Sequence, residues 1–132
     1  MKLKYLFSLL VISFLLTGSV SGDFSVLYNN ALVRIQAEEY PDAVRLLKSA
    51  LQLKKHSQAA FWLSYSHAQL GEKDSSLSYA KQALKYKPEL NRDYRMRVDR
   101  IIEWSRQDTQ RGGRFPASGP PHFEVEASDM IR

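Results

Sequence analysis

The chain has 132 residues, 44% of them apolar and 25% charged, with a formal net charge of +5. That balance belongs to a folded domain and excludes an intrinsically disordered chain. There is no cysteine, which rules out disulfides, thiol nucleophiles and thiolate metal sites.

Residues 1–22 read as an export signal. Lys2 and Lys4 form a basic end, Tyr5 to Leu16 is apolar apart from Ser8 and Ser13, and Thr17 to Gly22 is small and polar. This is the order of a secretory signal, with a cut expected between Gly22 and Asp23. The apolar run of about 12 residues falls short of the ~20 that span a bilayer. Length therefore favours cleavage over the alternative, an uncleaved N-terminal membrane anchor. A lipid-anchored form would need a cysteine after the run. Cleavage removes Lys2 and Lys4 and leaves a formal charge of +3. The protein is expected to be exported, periplasmic or secreted, and to meet a membrane only through an uncleaved signal.

The next segment, residues 23–56, reads as helix, tight turn, helix. Leu27, Ala31, Leu32 and Ile35 recur at helical spacing. Tyr40-Pro41-Asp42 interrupts, and proline suits the first turn of a helix because its missing N–H has no partner there anyway. Ala43, Val44, Leu47, Ala50 and Leu51 then make one apolar stripe. Residues 57–90 repeat the pattern. Ser57 is the expected N-cap, with Ala60, Leu63, Ser64 and His67 inward and Leu70 closing the stripe. Gly71 stands where a helix ends in a left-handed residue. Leu77, Ala80, Ala83 and Leu84 face inward on the next helix. Pro88 ends that helix by about Tyr86, because the residue before proline is pushed out of helical geometry.

A closing helix is expected over 91–106, capped by Asn91, with Tyr94, Val98, Ile101 and Ser105 buried. Trp104 and Ile102 lie off that stripe. Gln110 to Pro121 carries three glycines and three prolines, so regular structure should stop there. Residues 107–132 are expected to be a disordered Gly/Pro-rich tail, with a short strand at Phe123 to Glu126 as the alternative.

The two helix pairs echo one another at a constant offset: Tyr28 falls on Phe61, Gln36 on Gln69, Glu39 on Glu72, Lys48 on Lys81, and Ala50-Leu51 on Ala83-Leu84. A period in the thirties with helical patterning means stacked helix pairs. The fold class is therefore all-α: a short α-solenoid of antiparallel helix–turn–helix repeats with about five helices. Leu63-Ser64, Leu70-Gly71, Ala83-Leu84 and Pro88 in the second repeat, with Ala31, Tyr40-Pro41-Asp42-Ala43 and Ala50-Leu51 in the first, resemble the tetratricopeptide repeat. The departures are Asn30 in place of Leu, Lys55 in place of Pro, Ser76 in place of the turn Ala, and a period one residue shorter than the family's. Small residues at these positions let paired helices approach closely.

The resemblance implies a concave groove lined by the first helix of each repeat. Laid onto this chain, that groove takes Ser25, Tyr28, Leu32, Ile35 and Gln36, then Gln58, Phe61, Tyr65, Ala68 and Gln69, then Arg92, Arg95, Asp99 and Glu103. The partner-binding candidates are Tyr28, Leu32, Phe61, Tyr65, Gln69, Arg92 and Arg95. Aromatics and arginines of this kind concentrate on peptide-binding surfaces. Arg92 and Arg95 are placed to take a carboxylate, and Trp62 is expected to pack on the other side. Chaperone-docking members of the family grip a C-terminal carboxylate with Lys, Asn and Arg. Here Tyr28, Leu32 and Trp62 stand at three of those positions and only Arg92 matches in charge, so that clamp is not expected.

Catalysis is not expected. His56, His67 and His122 show no ligand spacing, and there is no nucleophile elbow or phosphate-cradling loop. No cofactor or metal is implied. From Lys81 to Arg114 ten basic residues accompany five acidic ones, and this interleaving, with export, argues against nucleic acid. The reading is a non-enzymatic adaptor that binds a peptide segment of an envelope or secreted partner. The alternative is a structural repeat unit that homo-oligomerises without a peptide ligand. Two repeats and a cap fall below the usual three, so self-association, a partner, or the tail folding back is expected to complete the core.

Overall fold

The computed structural model describes residues 23–86, 90–110 and 119–131. The expected signal segment, Pro88 and most of the Gly/Pro-rich stretch lie outside the described residues. Among those described there are five α-helices and no strand: α1 (Phe24–Gln36), α2 (Tyr40–Leu53), α3 (Ser57–Gln69), α4 (Lys73–Tyr86) and α5 (Arg92–Gln110), followed by a 3-10 turn at Ala127–Asp129. Each helix packs on the next, and α3 also packs on both α1 and α5. Short connections make neighbours antiparallel, so α1, α3 and α5 form one layer and α2 and α4 the other.

The repeat is kept to the residue. α3 has the length of α1 and α4 the length of α2, and the step from Phe24 to Ser57 equals the step from Tyr40 to Lys73. The turn between paired helices is the same in both. Glu38 (φ 58°) and Gly71 (φ 76°) adopt left-handed backbone at equivalent positions. Around the first, Glu38 N–H donates to Ile35 and Glu39 N–H to Arg34. Around the second, Gly71 N–H donates to Ala68 and Glu72 N–H to His67. These are two Schellman motifs, which satisfy carbonyls that a helix end would otherwise leave unpaired. An ion pair bridges the first turn, Arg34 with Glu39; across the second, His67 Nδ1 lies 3.4 Å from a Glu72 carboxylate oxygen.

α3 is the centre of the molecule. Every residue from Ala59 to Ala68 is buried, because α2, α4, α1, α5 and the tail surround it. A helix enclosed this way has no polar face to spare. Its serines are satisfied internally: Ser66 Oγ donates to Trp62 at 2.8 Å, and Ser64 and Ser76 exchange hydrogen bonds with each other's carbonyls at 2.6 and 2.9 Å. The first repeat has Ala31 and Ala43 at the corresponding close approach, both fully buried. Serine thus replaces alanine in both helices of the second pair without opening the contact.

Several boundaries differ from expectation. The N-cap of α3 is His56, whose Nδ1 accepts from Ala59 N–H at 3.2 Å, and Ser57 is the first helical residue. Asn91 caps α5 as expected, accepting from Tyr94 N–H at 2.9 Å. α5 runs to Gln110 rather than Arg106, since nothing before the glycines breaks it. Leu70 is exposed at 39% instead of closing a stripe, because it sits in the turn. Trp104 is buried against α4, with the Lys73 ammonium 5.0 Å from its ring. Residues 119–131, expected to be disordered, lie against the α1–α3–α5 layer. Phe123 carries enough apolar area to anchor them, and the groove side chains satisfy their backbone.

Candidate functional site

The groove formed by α1, α3 and α5 is filled by the chain's own C-terminal segment. That segment runs from the C-terminal ends of α1 and α3 towards their N-terminal ends. Side chains of the first helices hold it mostly by its main chain. Gln69 Nε2 donates to Pro121 carbonyl at 3.0 Å, and Gln36 Nε2 reaches Val125 carbonyl at 3.4 Å. Tyr28 OH donates to Asp129 carbonyl at 3.1 Å. Asn29 closes a two-point clamp on Ile131, donating to its carbonyl at 2.6 Å and accepting from its N–H at 2.9 Å.

Two side chains of the segment enter sockets. Phe123 lies 5.8 Å from the ring centres of both Phe61 and Tyr65, with the guanidinium groups of Arg97 and Arg100 at 5.7 and 5.4 Å. Aromatic neighbours and cations over a ring each add to the burial energy. Phe123 N–H also faces Tyr65 OH at 3.4 Å, and His122 Nδ1 lies 3.1 Å from the same hydroxyl.

The second socket takes a carboxyl group. Asp129 is 6% exposed and makes a hydrogen bond from Tyr94 OH to Oδ1, while Oδ2 accepts from Glu126 N–H at 2.7 Å. Trp62 Nε1 donates to Tyr94 OH at 3.2 Å, which fixes that hydroxyl as a donor toward Asp129. Burial, with the nearby Asp129 adding to it, raises the Tyr28 phenol well above its ordinary pKa. Burial likewise raises Tyr94, with Tyr28 and Asp129 adding to the effect. Both remain protonated donors across physiological pH. Among the described residues, the donors on this carboxyl are therefore neutral.

The structure brings Tyr28, Phe61, Tyr65 and Gln69 together on the segment. Leu32 is fully buried within the core. Arg92 and Arg95 are exposed, and the carboxyl group goes to Tyr94 instead. The reason is register. Tyr94 follows Phe61 at the same interval at which Phe61 follows Tyr28, so α5 continues the period as a third first-helix. The longer period of the tetratricopeptide repeat, carried onto α5, selects Arg92, Arg95, Asp99 and Glu103. The chain's own period lands on Tyr94; Arg97 and Arg100, which that period pairs with Ser64 and His67, reach Phe123 from beside the repeated stripe. Asn29 joins the site from the stripe of Ser25, Leu32 and Gln36, where no aromatic or charged group marks it in the sequence. Trp62 packs edge-on against Phe61 at 4.9 Å and against Tyr65 at 5.5 Å. It braces the groove floor and does not lie on the far side.

A cavity of about 300 Å³ remains where the segment crosses the end of α1, between Ile35, Glu38, Tyr65, His122 and Val125. Among the described residues, no helix is long and apolar enough to cross a membrane. Among the same residues, no group of three or more His, Asp or Glu could hold a metal ion. Compared with protein-family models, with curated proteins and with solved structures, the chain matches none of them.

Proposed function

We propose that the protein is an exported, tetratricopeptide-like adaptor, and that the α1–α3–α5 groove binds an extended peptide segment of an envelope or secreted partner. One observation carries the reading. Gln36, Gln69, Tyr28 and Asn29 all address main-chain groups of the C-terminal segment, which is how a surface recognises a peptide irrespective of most of its side chains. Amides and phenols aimed at main-chain groups do the work of binding, not of chemistry.

A photo-activatable residue at Gln69, introduced into the protein in its native cells, tests it. Cross-links to a segment of another protein, mapped by mass spectrometry, are expected. Cross-links confined to residues 119–131 of the same molecule, under all growth conditions, would sink the adaptor reading. N-terminal sequencing of the same sample tests export. A chain beginning at Asp23 is expected, and one that retains residues 1–22 in the cytoplasm contradicts it.

A second reading has its own observation. Val26 and Val33, exposed at 53% and 51%, share the outer face of α1 at the open end of the stack. Homo-oligomerisation through that face would cover both. Sedimentation of the wild type beside Val26→Asp/Val33→Asp separates the readings, because only an oligomer changes mass.

A further inference from the structure

We infer that residues 119–131 are a displaceable ligand held in cis, and that the external ligand is an acidic peptide with the same spacing, extended up to a short turn at the Asp. That pattern is an aromatic residue, an Asp six positions later, and an apolar residue two beyond that, matching Phe123, Asp129 and Ile131. The inference rests on the groove being a peptide site and names what the site selects.

None of the segment's contacts depends on its covalent link to α5. Main-chain groups at Pro121, Val125, Asp129 and Ile131 are bound by side chains of α1 and α3, and any peptide that is extended up to the same short 3-10 turn offers the same groups. Selectivity resides in the two sockets. The Phe123 site is walled by two rings and two guanidinium groups, which suits an aromatic ring. The Asp129 site presents Tyr94 OH, braced by Trp62, at the depth of a short acidic side chain. A Glu reaches one methylene too far, and an Asn turns an NH₂ group onto the Glu126 N–H. Between the sockets, the exposed side chains of Glu124, Ala127 and Ser128 leave those positions of a ligand free, while Glu126 caps the turn that presents Asp129.

Charge agrees with this. The segment carries Glu124, Glu126 and Asp129 and no Lys or Arg. The wall beside Phe123 carries Arg97 and Arg100, and Arg97 Nη1 is buried without a hydrogen-bond partner among the described residues. Tethering gives the cis segment an effective concentration on the order of millimolar. An external peptide therefore competes against it, and anything that loosens the tail raises apparent affinity in proportion to the fraction of grooves left open.

The test uses one substitution in two places. A fluorescent synthetic peptide with the sequence of residues 119–131 is titrated into the full chain, and binding is read by polarisation. Asp129→Asn in the protein is expected to tighten the peptide by about tenfold or more, because the competitor is weakened. Asp129→Asn in the peptide is expected to weaken binding by a similar factor. A groove that is only structural core cannot give these opposite signs. Far-UV dichroism checks that the variant is folded. Should it not fold, the wild-type chain labelled with ¹⁵N is titrated with excess unlabelled peptide, and the Phe123 and Ile131 amides are expected to shift to those of a released tail. The inference is overturned if the folded variant binds the tail peptide no better than wild type, if it prefers peptides lacking the aromatic and Asp, or if the tail amides stay put at millimolar peptide. Failure of the wider peptide-groove reading looks different: the folded Asp129→Asn chain then selects no peptide of any pattern from a displayed random library.

Discussion

At the two turn positions, 38 and 71, the same left-handed backbone is occupied by different residues, Glu38 at φ 58° and Gly71 at φ 76°. A side chain in that region strains against the following carbonyl by roughly 1–2 kcal/mol, while glycine loses more freedom on folding. Relief outweighs entropy at position 38, so Glu38→Gly is expected to raise stability by about 0.5–1 kcal/mol in urea titrations. A Cβ at Gly71 meets nothing within 4 Å, so Gly71→Ala tests the backbone alone and should cost about 0.5–1 kcal/mol. His67 makes the matching argument for pH. It is buried and stacked on Tyr79, with ring centres 5.4 Å apart. Burial lowers its pKa below the ordinary 6.5, the nearby Glu72 opposing and Lys48 reinforcing the shift. The unfolded chain then binds the proton more readily than the folded one. Stability contributed here is whole above about pH 6.5 and is lost as pH falls towards the lowered folded value. His67→Phe keeps the stack and removes the proton site. Unfolding curves at pH 7 and pH 5 should show a smaller loss for the variant than for the wild type, and equal losses would refute it.

The elements show what a pattern can and cannot reveal. Helix positions are legible because Leu27, Ala31, Ile35 and their counterparts follow a 3.6 period, and Gly71 and Pro41 punctuate it. The groove aromatics Tyr28, Phe61 and Tyr65 are legible for the same reason. Tyr94 is lost when the longer tetratricopeptide period is borrowed, because a slip of one residue turns a helix face by about 100°, and Arg97 and Arg100 have no groove counterpart one period back, where Ser64 and His67 stand. The chain's own echo, stepped once more from Phe61, lands on Tyr94. The tail is illegible for a physical reason: its order comes from side chains as far as 102 residues away, Asn29 on Ile131, and leaves no local periodicity. One prediction belongs at this scale. Ser64 and Ser76 bind each other's carbonyls across α3 and α4, where the first pair manages with Ala31 and Ala43. Each single Ser→Ala change removes one buried hydrogen bond and should cost about 1 kcal/mol. The double change recreates the alanine contact of the first repeat. Its cost should fall short of the sum of the singles, and a double-mutant cycle measures the difference. Strict additivity would mean that the two hydroxyls act independently.

In the whole molecule the tail takes the place of the repeat that is missing. Helix pairs stacked in a row bury surface only against neighbours, and two pairs with one further helix leave the concave side of α3 uncovered. Tyr28, Phe61 and Tyr65 are fully buried here because residues 119–131 lie over them. Cover of this kind need not be as firmly held as the helices it protects. The segment contributes one deeply buried ring, one buried carboxyl and a handful of side-chain hydrogen bonds, whereas α3 is enclosed from all sides. Local opening should therefore occur in two steps, tail first, with the solenoid persisting. Native-state amide exchange is expected to show the Phe123, Asp129 and Ile131 amides exchanging through an opening of lower free energy than the amides of Phe61 to Tyr65. Phe123→Ala removes the ring from its socket. Large-to-small changes at core phenylalanines cost roughly 3–5 kcal/mol, and here that loss should fall mainly on the tail's opening, erasing its protection while leaving much of the protection of α3. If instead tail and α3 amides exchange with one free energy, and Phe123→Ala lowers both equally, then the segment is an inseparable part of a single cooperative core and the groove is never open to a partner.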